Sequence, residues 1–307
     1  MTIKCDDHMR DKPNRPNTRK IEFERITAKH VQELANKLDS TRPDIERTLA
    51  FCSATVRHYL GVEWLNRHVL PDSKHARYLR LDLNASMEEK QISIPRYLEF
   101  SESLLNLQYV EGFGFFLCKL MTGEVESCCA ELDVARLLAV HELKFKFVPV
   151  QQKKGTDYDF EIFYPDDFMV HADAKCKFEQ TAVDLKSITN SLKKASTQFP
   201  KGEPAVVIVK VPAHWIRDLA VQCGIVSTAK EFLRDRKRIV SIKFYATVPI
   251  VTNLYAVNTH IYSEVSNPNG LFPTRNWDIF RDFPPPNTGT GMPSWWIRFY
   301  PPPQGNR

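Results

Sequence analysis

The sequence predicts an α/β protein with a mixed β-sheet flanked by helices, preceded by an all-helical region. Two patterns support this prediction. From Ile21 to about Gly123, apolar residues recur at spacings of three and four, the spacing of amphipathic helices. After that point, helical segments alternate with short runs in which apolar and polar residues alternate, which is typical of an α/β core.

The individual elements follow from the same periodicities. Helical spacing occurs in IERTLAFCSATVRHYLGVEWLNRHV (residues 45–69) and in IPRYLEFSESLLNLQYV (residues 94–110). EGFGFF (residues 111–116) has two glycines without phosphate-loop spacing and is predicted to be a turn. Another helix is expected over 124–140, with Thr122 as its N-cap. We further predict strands at 143–150, 157–164, 169–177, 205–211 and 239–248, and helices at 181–198 and 213–234.

The two ends of the chain differ from its middle. Residues 1–20 are polar, charged and proline-bearing, which predicts a flexible arm. We divide the remainder into a helical region (21–123), an α/β core (124–250) and an extension rich in Pro and aromatic residues (251–307). We expect the large aromatic side chains of the extension to pack on the body, with a stacking platform for bases as the alternative. These residues are Trp277, Phe280, Trp295 and Trp296.

Composition argues against several classes of protein. With 43% hydrophobic and 26% charged residues, the chain has a globular composition. It lacks the run of about 18 apolar residues that a membrane-spanning helix needs. The first residues have no apolar segment of a secretory signal, so we expect an intracellular, cytoplasmic protein without membrane contact. Seven scattered cysteines without a C-x-x-C pair argue against a zinc site, and we expect most of them to be reduced, buried residues.

One carboxylate in the helix over 124–140 points toward the face that should be buried. At about 100° per residue, Glu126, Asp133 and Arg136 gather on one side of this helix. Glu131 lies almost opposite them, among small and apolar residues. A buried carboxylate needs a cation, a hydrogen-bond partner or a metal. Glu131 is therefore a candidate functional residue.

Two neighbouring strands carry ionisable residues on one face. Alternation puts Asp159 on the ionisable face of the strand at 157–164, and puts Asp173 and Lys175 together on that of the next strand. If the two strands form a hairpin, Asp159 lies opposite Asp173, and Asp157 lies opposite Lys175. The apolar face of the first strand then consists of Tyr158, Phe160 and Ile162.

Facing carboxylates destabilise a sheet unless a positive group lies between them. Together with the inward-pointing Glu131, Asp159 and Asp173 would offer the hard oxygen ligands that Mg²⁺ prefers. The alternative is an ordinary solvent-exposed hairpin face on which lysines balance the acids. Both interpretations stay open at this point.

The order of these residues resembles a known family. A helix with a glutamate is followed by DYDFEI (157–162), by HADAKCK (171–177) and by a helix ending in KKASTQFPKGEPAVVIVKVP (193–212). This order resembles the PD-(D/E)xK nuclease superfamily, which has the restriction-endonuclease-like fold, over roughly residues 124–212. The helical region before it is similar to the N-terminal part of some uncharacterised bacterial members.

The resemblance implies a nuclease that uses Mg²⁺, or Mn²⁺ in its place, to hydrolyse phosphodiester bonds in DNA. Asp159 and Asp173 match the two acids of the motif, and Lys175 matches its lysine. The resemblance implies that both aspartates bind the metal, together with the backbone carbonyl of Ala174. It also implies that Glu131 contributes from the first core helix and that Lys175 orients or activates the attacking water.

The sequence departs from the family pattern at three positions. Thr156 stands where the motif has Pro, and Asp157 competes with Asp159 for the first acid, so Asp157 is held in reserve. Asp173 replaces the commoner Glu and reaches one methylene less far. His171, on the acidic face, is a further reserve position and is expected to neighbour the metal or the substrate.

Basic residues concentrate in LKKASTQFPK (192–201) and AKEFLRDRKR (229–238), and the net charge is +5. Alone, such segments are typical of solvated helix faces. Beside a nuclease site, they are expected to contact phosphates independently of sequence. The predicted contacts are Lys193, Lys194, Arg234, Arg236, Lys237 and Arg238.

Three functions remain open from the sequence. The first is the DNA nuclease, acting alone or as a homodimer that cuts both strands. The second is a catalytically inactive protein of the same fold that binds nucleic acid or a protein partner. The third is an α/β protein whose charged hairpin is ordinary surface.

Overall fold

In the computed structural model of the chain, the described residues are 22–38, 41–74, 77–151, 153–164, 166, 168–251 and 256–272. The predicted arm and the four aromatic residues of the extension lie outside them. The described part is an α/β structure with a six-stranded mixed sheet, which confirms the predicted class. None of its helices is long and apolar enough to cross a membrane. The six cysteines in it are free thiols, as predicted.

Five helices form the described part of the helical region. They are α1 (Ala28–Lys37), α2 (Asp44–Leu60), α3 (Val62–His68), α4 (Met87–Asn106) and α5 (Phe113–Thr122). Gly61 separates α2 from α3 with a φ of 85°, a left-handed conformation that glycine adopts readily. Ser86 begins α4 with a capping box, in which its hydroxyl accepts from the amide of Glu89 and the Glu89 carboxylate accepts from the amide of Ser86.

The turn predicted at 111–116 is wrong for most of its length. Gly112 does turn the chain, with a φ of 83°, but α5 begins directly after it. Phe113 and Phe116 pack on the ring of Phe147, with centroid separations of 6.2 and 5.0 Å. Tertiary packing of the aromatic side chains therefore stabilises a helix in a segment whose glycines favour a turn.

The remaining elements build the sheet and its cover. They are α6 (Val125–Val140), β1 (Lys144–Phe147), β2 (Phe160–Phe163), β3 (Met169–Cys176), α7 (Leu185–Gln198), β4 (Ala205–Lys210), α8 (Ala213–Arg217), α9 (Leu219–Leu233), β5 (Ile239–Val251) and β6 (Ala256–Ser266). The strands lie side by side in chain order. β1, β2 and β3 are antiparallel, β4 and β5 are parallel to β3, and β6 is antiparallel to β5.

β6 lies in the segment assigned to the extension, and no strand is predicted there. Its sequence is largely polar and offers only a weak alternating pattern, so its conformation depends on pairing with β5. That pairing runs from Ser241 opposite Ser266 to Val251 opposite Ala256. The backbone pairing of these two consecutive strands therefore extends the sheet beyond the predicted boundary at residue 250.

The two faces of the sheet have separate apolar cores. On one face, α2, α4, α5 and α6 pack on side chains that include Phe160, Val170 and Ile208. On the other face, α7, α8 and α9 pack on side chains that include Val207 and Val209. Every residue of β4 is buried, as expected for a central strand covered on both sides. The helical region thus shares a continuous core with one face of the sheet.

The start of α6 differs from its prediction. Glu124 precedes the helix and accepts hydrogen bonds from the amides of Glu126 and Ser127, so Thr122 is not the N-cap. Thr122 belongs to the last turn of α5, where its hydroxyl donates to the carbonyl of Cys118. The two helices follow each other too closely for a separate capping residue at that position.

The helix α6 is buried over most of its surface. Glu131 faces inward as predicted and is 5% exposed. Arg136, which the helical phase places on the charged side, is also buried, so this side is not the solvent-exposed one. The reason is that α4 covers it and presents Glu99 and Glu102, whose carboxylates lie 3.5 and 3.6 Å from the guanidinium.

Candidate active site

The three carboxylates singled out in the sequence lie in one cluster, in which Lys119 joins Glu131 to Asp159 and the β2–β3 register sets Asp159 beside Asp173. Glu131 projects from α6, Asp159 immediately precedes β2, and Asp173 lies in the middle of β3. Burial raises the pKa of Asp173, and the negative charge of Asp159 raises it further. The negative charges of both aspartates raise the pKa of Glu131, whose strongest perturbation is its burial.

The pairing of β2 with β3 brings the two aspartates together. Phe160 is opposite Ala172, and the amide of Asp159 donates to the carbonyl of Ala172 at 3.1 Å. Continued by one residue, this register sets Asp159 opposite Asp173, as the hairpin prediction requires. Oδ2 of Asp159 also accepts a hydrogen bond from the amide of Ala174 at 2.8 Å, which fixes the carboxylate at the strand.

Lys175 contacts the same site. Its Nζ lies 2.9 Å from Oδ1 and 2.6 Å from Oδ2 of Asp173, and it donates to Oε1 of Gln198 at 2.7 Å. Gln198 is the last residue of α7, and its Nε2 donates to the carbonyl of Asp157 at 2.6 Å. The end of α7 therefore holds both the lysine amine and the backbone that leads into Asp159.

The sequence interpretation missed Lys119. This residue lies in the last turn of α5, and its Nζ is 2.8 Å from Oε1 of Glu131 and 2.8 Å from Oδ1 of Asp159. The available signal was a single lysine within the apolar run FGFFLCKLMT. The turn predicted for the start of that run leaves the direction of this side chain undefined, whereas the helix α5 points it at the carboxylates.

Close packing determines the electrostatics of the site. Burial, reinforced by the charge of Asp159, raises the pKa of Glu131 to about 8. Burial also raises the pKa of Asp173 to about 7, although the Lys175 ammonium acts in the opposite direction. For Asp159 burial likewise favours the neutral acid, but the charges of Lys119 and Lys175 outweigh it and lower the pKa.

Burial of the two lysines favours their neutral forms, but their carboxylate partners outweigh this effect. Asp159 and Glu131 raise the pKa of Lys119, and Asp173 and Asp159 raise the pKa of Lys175. The two amines are therefore ammonium groups at neutral pH. They compensate most of the negative charge that the three carboxylates can carry.

Asp157 does not join the carboxylates. Its Oδ1 accepts from the amide of Gln151 at 3.3 Å, and its backbone is bound to Gln198. The amine of Lys175, predicted to lie opposite it, binds Asp173 and Gln198 instead. Tyr158 is also misplaced by strict alternation, since it packs with the core under α7. The reason is that β2 begins only at Phe160, so the side chains before it do not have to alternate between the two faces of the sheet.

His171 lies on the ionisable face of β3, as predicted, but away from solvent. It is 3% exposed, and its ring packs edge-on against Tyr158 with centroids 4.4 Å apart. Neither ring nitrogen has a hydrogen-bond partner among the described residues. Burial lowers the pKa of His171, so the neutral ring is favoured.

The predicted nucleic-acid contacts divide into two groups. Five of the six side chains are exposed, while Arg238 is half-buried. Its guanidinium donates to the carbonyl of Phe199 at 3.1 Å and to those of Ser196 and Pro200. These hydrogen bonds satisfy carbonyl groups at the C-terminal end of α7. The guanidinium of Arg238 is therefore engaged inside the protein, which makes Arg238 the weakest of the six predicted phosphate contacts. The five exposed residues are Lys193, Lys194, Arg234, Arg236 and Lys237.

The donor set suits a hard divalent cation, but the observed arrangement is that of ion pairs. Among the described residues, no group of three His, Cys, Asp or Glu side chains is arranged to hold a metal. Lys119 lies between two of the carboxylates, Glu131 and Asp159. Oδ2 of Asp173 is buried and accepts no well-directed hydrogen bond from the described residues, although the Lys175 ammonium is 2.6 Å away. The carboxylate chemistry therefore fits Mg²⁺ or Mn²⁺ if the ammonium of Lys119 moves.

No protein-family model and no curated protein matches this sequence. The interpretation of the site therefore rests on its residues and their geometry.

Proposed function

We propose that this protein is a divalent-metal-dependent nuclease that hydrolyses phosphodiester bonds in DNA. The observation that carries the proposal is the cluster of Glu131, Asp159, Asp173 and the amine of Lys175, in which Lys119 joins Glu131 to Asp159 and Lys175 contacts Asp173. These residues come from one helix and two strands. Surface carboxylates have no physical reason to gather in this way, because their mutual repulsion destabilises the fold.

The order of elements supports a restriction-endonuclease-like fold for the region from α6 onward. A helix is followed by three antiparallel strands, a second helix and a strand parallel to the third. The acidic residues lie on the first helix and at β2 and β3, which are the positions that the PD-(D/E)xK resemblance implies. Fold similarity alone does not specify activity, so the proposal depends on the site.

The chemistry assigns a separate task to each group. Bound Mg²⁺ or Mn²⁺ would supply a water of lowered pKa and a positive charge beside the phosphate. Asp159, Asp173, Glu131 and the backbone carbonyl of Ala174 would hold the ion. Lys175, fixed by Gln198, would orient the attacking water and offset negative charge that develops on the phosphate.

Exposed basic side chains would bind the nucleic-acid backbone. Lys194 precedes Gln198 by one helical turn, so both lie on the same side of α7. Since Gln198 contacts Lys175, this side of α7 leads to the proposed site. Lys193 and Lys194 are therefore the strongest candidates for phosphate contacts, which bind independently of sequence.

The proposal is tested by incubating the protein with plasmid, linear and single-stranded DNA and with RNA, in Mg²⁺, Mn²⁺ or EDTA. We expect metal-dependent cleavage of DNA. Asp173→Asn and Lys175→Met should each lower the rate by about 100-fold or more. Asp157→Asn is the matched control, because this aspartate lies beside the site without joining it. Cleavage that persists in both site variants would show that another site or another protein is responsible.

A second function is favoured by one observation. Because Lys119 already pairs with Glu131 and Asp159, the protein could bind nucleic acid through its basic surface without cutting it. In that case DNA would bind with a strong salt dependence. The same substrate panel would then show no cleavage with either metal, and the site substitutions would leave DNA affinity unchanged.

A further inference from the structure

The proposed site contains a cation of its own. The ammonium of Lys119 is 2.8 Å from one oxygen of Glu131 and 2.8 Å from one oxygen of Asp159. Oδ2 of Asp159 is bound separately by the amide of Ala174. The ammonium therefore bridges carboxylates from α6 and from the start of β2, where the proposed function places a metal ion.

The charges in the site can be balanced in two ways. Three carboxylates face the ammonium groups of Lys119 and Lys175, which compensate most of the negative charge without a metal. When a divalent cation binds, that cation and Lys175 balance the three carboxylates by themselves. A second ammonium at the same oxygens would then repel the metal.

The two lysines differ in how firmly they are held. The side chain of Lys175 is 17% exposed and is bound by both Asp173 and Gln198. The side chain of Lys119 is 31% exposed and lies in the last turn of α5. A flexible lysine side chain in that position can swing its amine into solvent without moving the helix.

We infer that the Lys119 ammonium occupies the cation position in the metal-free protein and is displaced when a divalent cation binds. Metal binding is thus a competition with a residue of the protein itself. The inference rests on the proposed function, because it takes the metal site from it. It also makes α5, which lies outside the region of family resemblance, a part of the site.

Isothermal titration with Mn²⁺ and Mg²⁺ tests the competition in the full chain. Lys119→Met should bind Mn²⁺ on the order of tenfold more tightly than the wild type, a typical size for coupling between two ligands. In EDTA its melting temperature should be lower than that of the wild type, and Mn²⁺ should raise it more. Lys146→Met is the matched control. Lys146 has the same exposure of 31% and pairs with Glu161 at 2.7 Å outside the site, so its removal should leave metal affinity unchanged.

A second measurement needs no substitution. Acetylation of the wild type, followed by mass spectrometry of individual lysines, should show faster modification of Lys119 in Mn²⁺ than in EDTA. The modification of Lys146 should not change. This readout also decides the question if Lys119→Met does not fold.

The outcomes separate the inference from the proposed function. If Mn²⁺ binds to the wild type and to Lys119→Met with equal affinity, or leaves the reactivity of Lys119 unchanged, the inference is overturned and the metal site stands. If neither protein binds Mn²⁺ or Mg²⁺, both are overturned. Tighter binding by Lys119→Met together with exposure of Lys119 supports both.

Discussion

The amine of Lys175 donates a hydrogen bond to Oε1 of Gln198 at 2.7 Å. Gln198 ends α7, so this contact joins the helix on one face of the sheet to the proposed active site. The same side chain donates to the backbone carbonyl of Asp157, two residues before Asp159. Gln198 is therefore a positioning residue for both the lysine and the first acid of the site.

Replacing Gln198 should slow cleavage without weakening DNA binding. In Gln198→Met the Lys175 amine loses an acceptor and spends less time in its productive position, so we expect a loss in kcat of about tenfold or more. Gln198→Glu keeps an acceptor oxygen and should retain more activity. Thr197→Ala on the same turn is the control. An equal loss of kcat and of DNA affinity would indicate a general disturbance of α7 instead.

Asp173→Asn should change the pH dependence of stability as well as slow cleavage. The pKa of Asp173 is raised to about 7 by burial, while an unfolded aspartate titrates near 4. The folded protein therefore binds this proton more tightly, and the resulting stability is present below about pH 4 and is lost as the pH rises through about 7. The asparagine does not titrate, so its metal-free stability relative to the wild type should rise from pH 5 to pH 8.

The gain of Asp173→Asn between these two pH values is expected to be on the order of 2–3 kcal/mol, measured by urea unfolding in EDTA. Glu131→Gln should act in the same direction, because burial also raises the pKa of Glu131. If the unfolding free energy of both variants depends on pH in the same way as that of the wild type, burial does not raise the pKa of these carboxyl groups.

The exposed basic residues and the half-buried Arg238 should behave differently. The double substitution Lys193→Gln with Lys194→Gln should weaken DNA binding. The slope of log affinity against log salt concentration should become shallower by about one for each phosphate that the variant no longer binds. Unfolding free energy should change by less than about 0.5 kcal/mol. Fluorescence anisotropy at several salt concentrations measures the effect. Unchanged affinity would show that these lysines of α7 do not contact DNA.

Arg238→Leu should have the reverse effect. Its guanidinium binds three carbonyl groups at the end of α7, and their loss is expected to cost about 1–3 kcal/mol of unfolding free energy. DNA affinity, measured with folded protein, should remain near that of the wild type. A loss of DNA affinity without a loss of stability would show that Arg238 does contact a phosphate.

Gly112 should be intolerant of any side chain. It combines a φ of 83° with close approach to β1, where an added Cβ would lie 2.1 Å from the carbonyl oxygen of Phe147. Gly112→Ala should therefore lower the unfolding free energy by more than about 2 kcal/mol. Gly202→Ala is the matched control, since its φ is 81° but no atom lies within 4 Å of an added Cβ. Equal effects of the two substitutions would show that the contact with Phe147 is unimportant.

The sequence by itself determines the local order of this protein. Helical spacing and strand alternation predict α2, α4, α6 and the first five strands, because these patterns depend on residues close together in the chain. The helical phase also predicts that Glu131 faces inward. The hairpin connection between β2 and β3 predicts the register that brings Asp159 beside Asp173, since a short loop fixes the pairing of the strands it joins.

Only the tertiary structure decides which distant residues complete the site. Lys119 reaches Glu131 and Asp159 because α5 packs its aromatic side chains on β1, and no local pattern contains that contact. Gln198 reaches Lys175, and Arg238 turns inward, because α7 ends beside the sheet. A side chain's direction follows from its own segment, but its partners follow from how segments pack. The acids could therefore be predicted from the sequence, whereas the contacts that Lys119 and Gln198 make with the site could not.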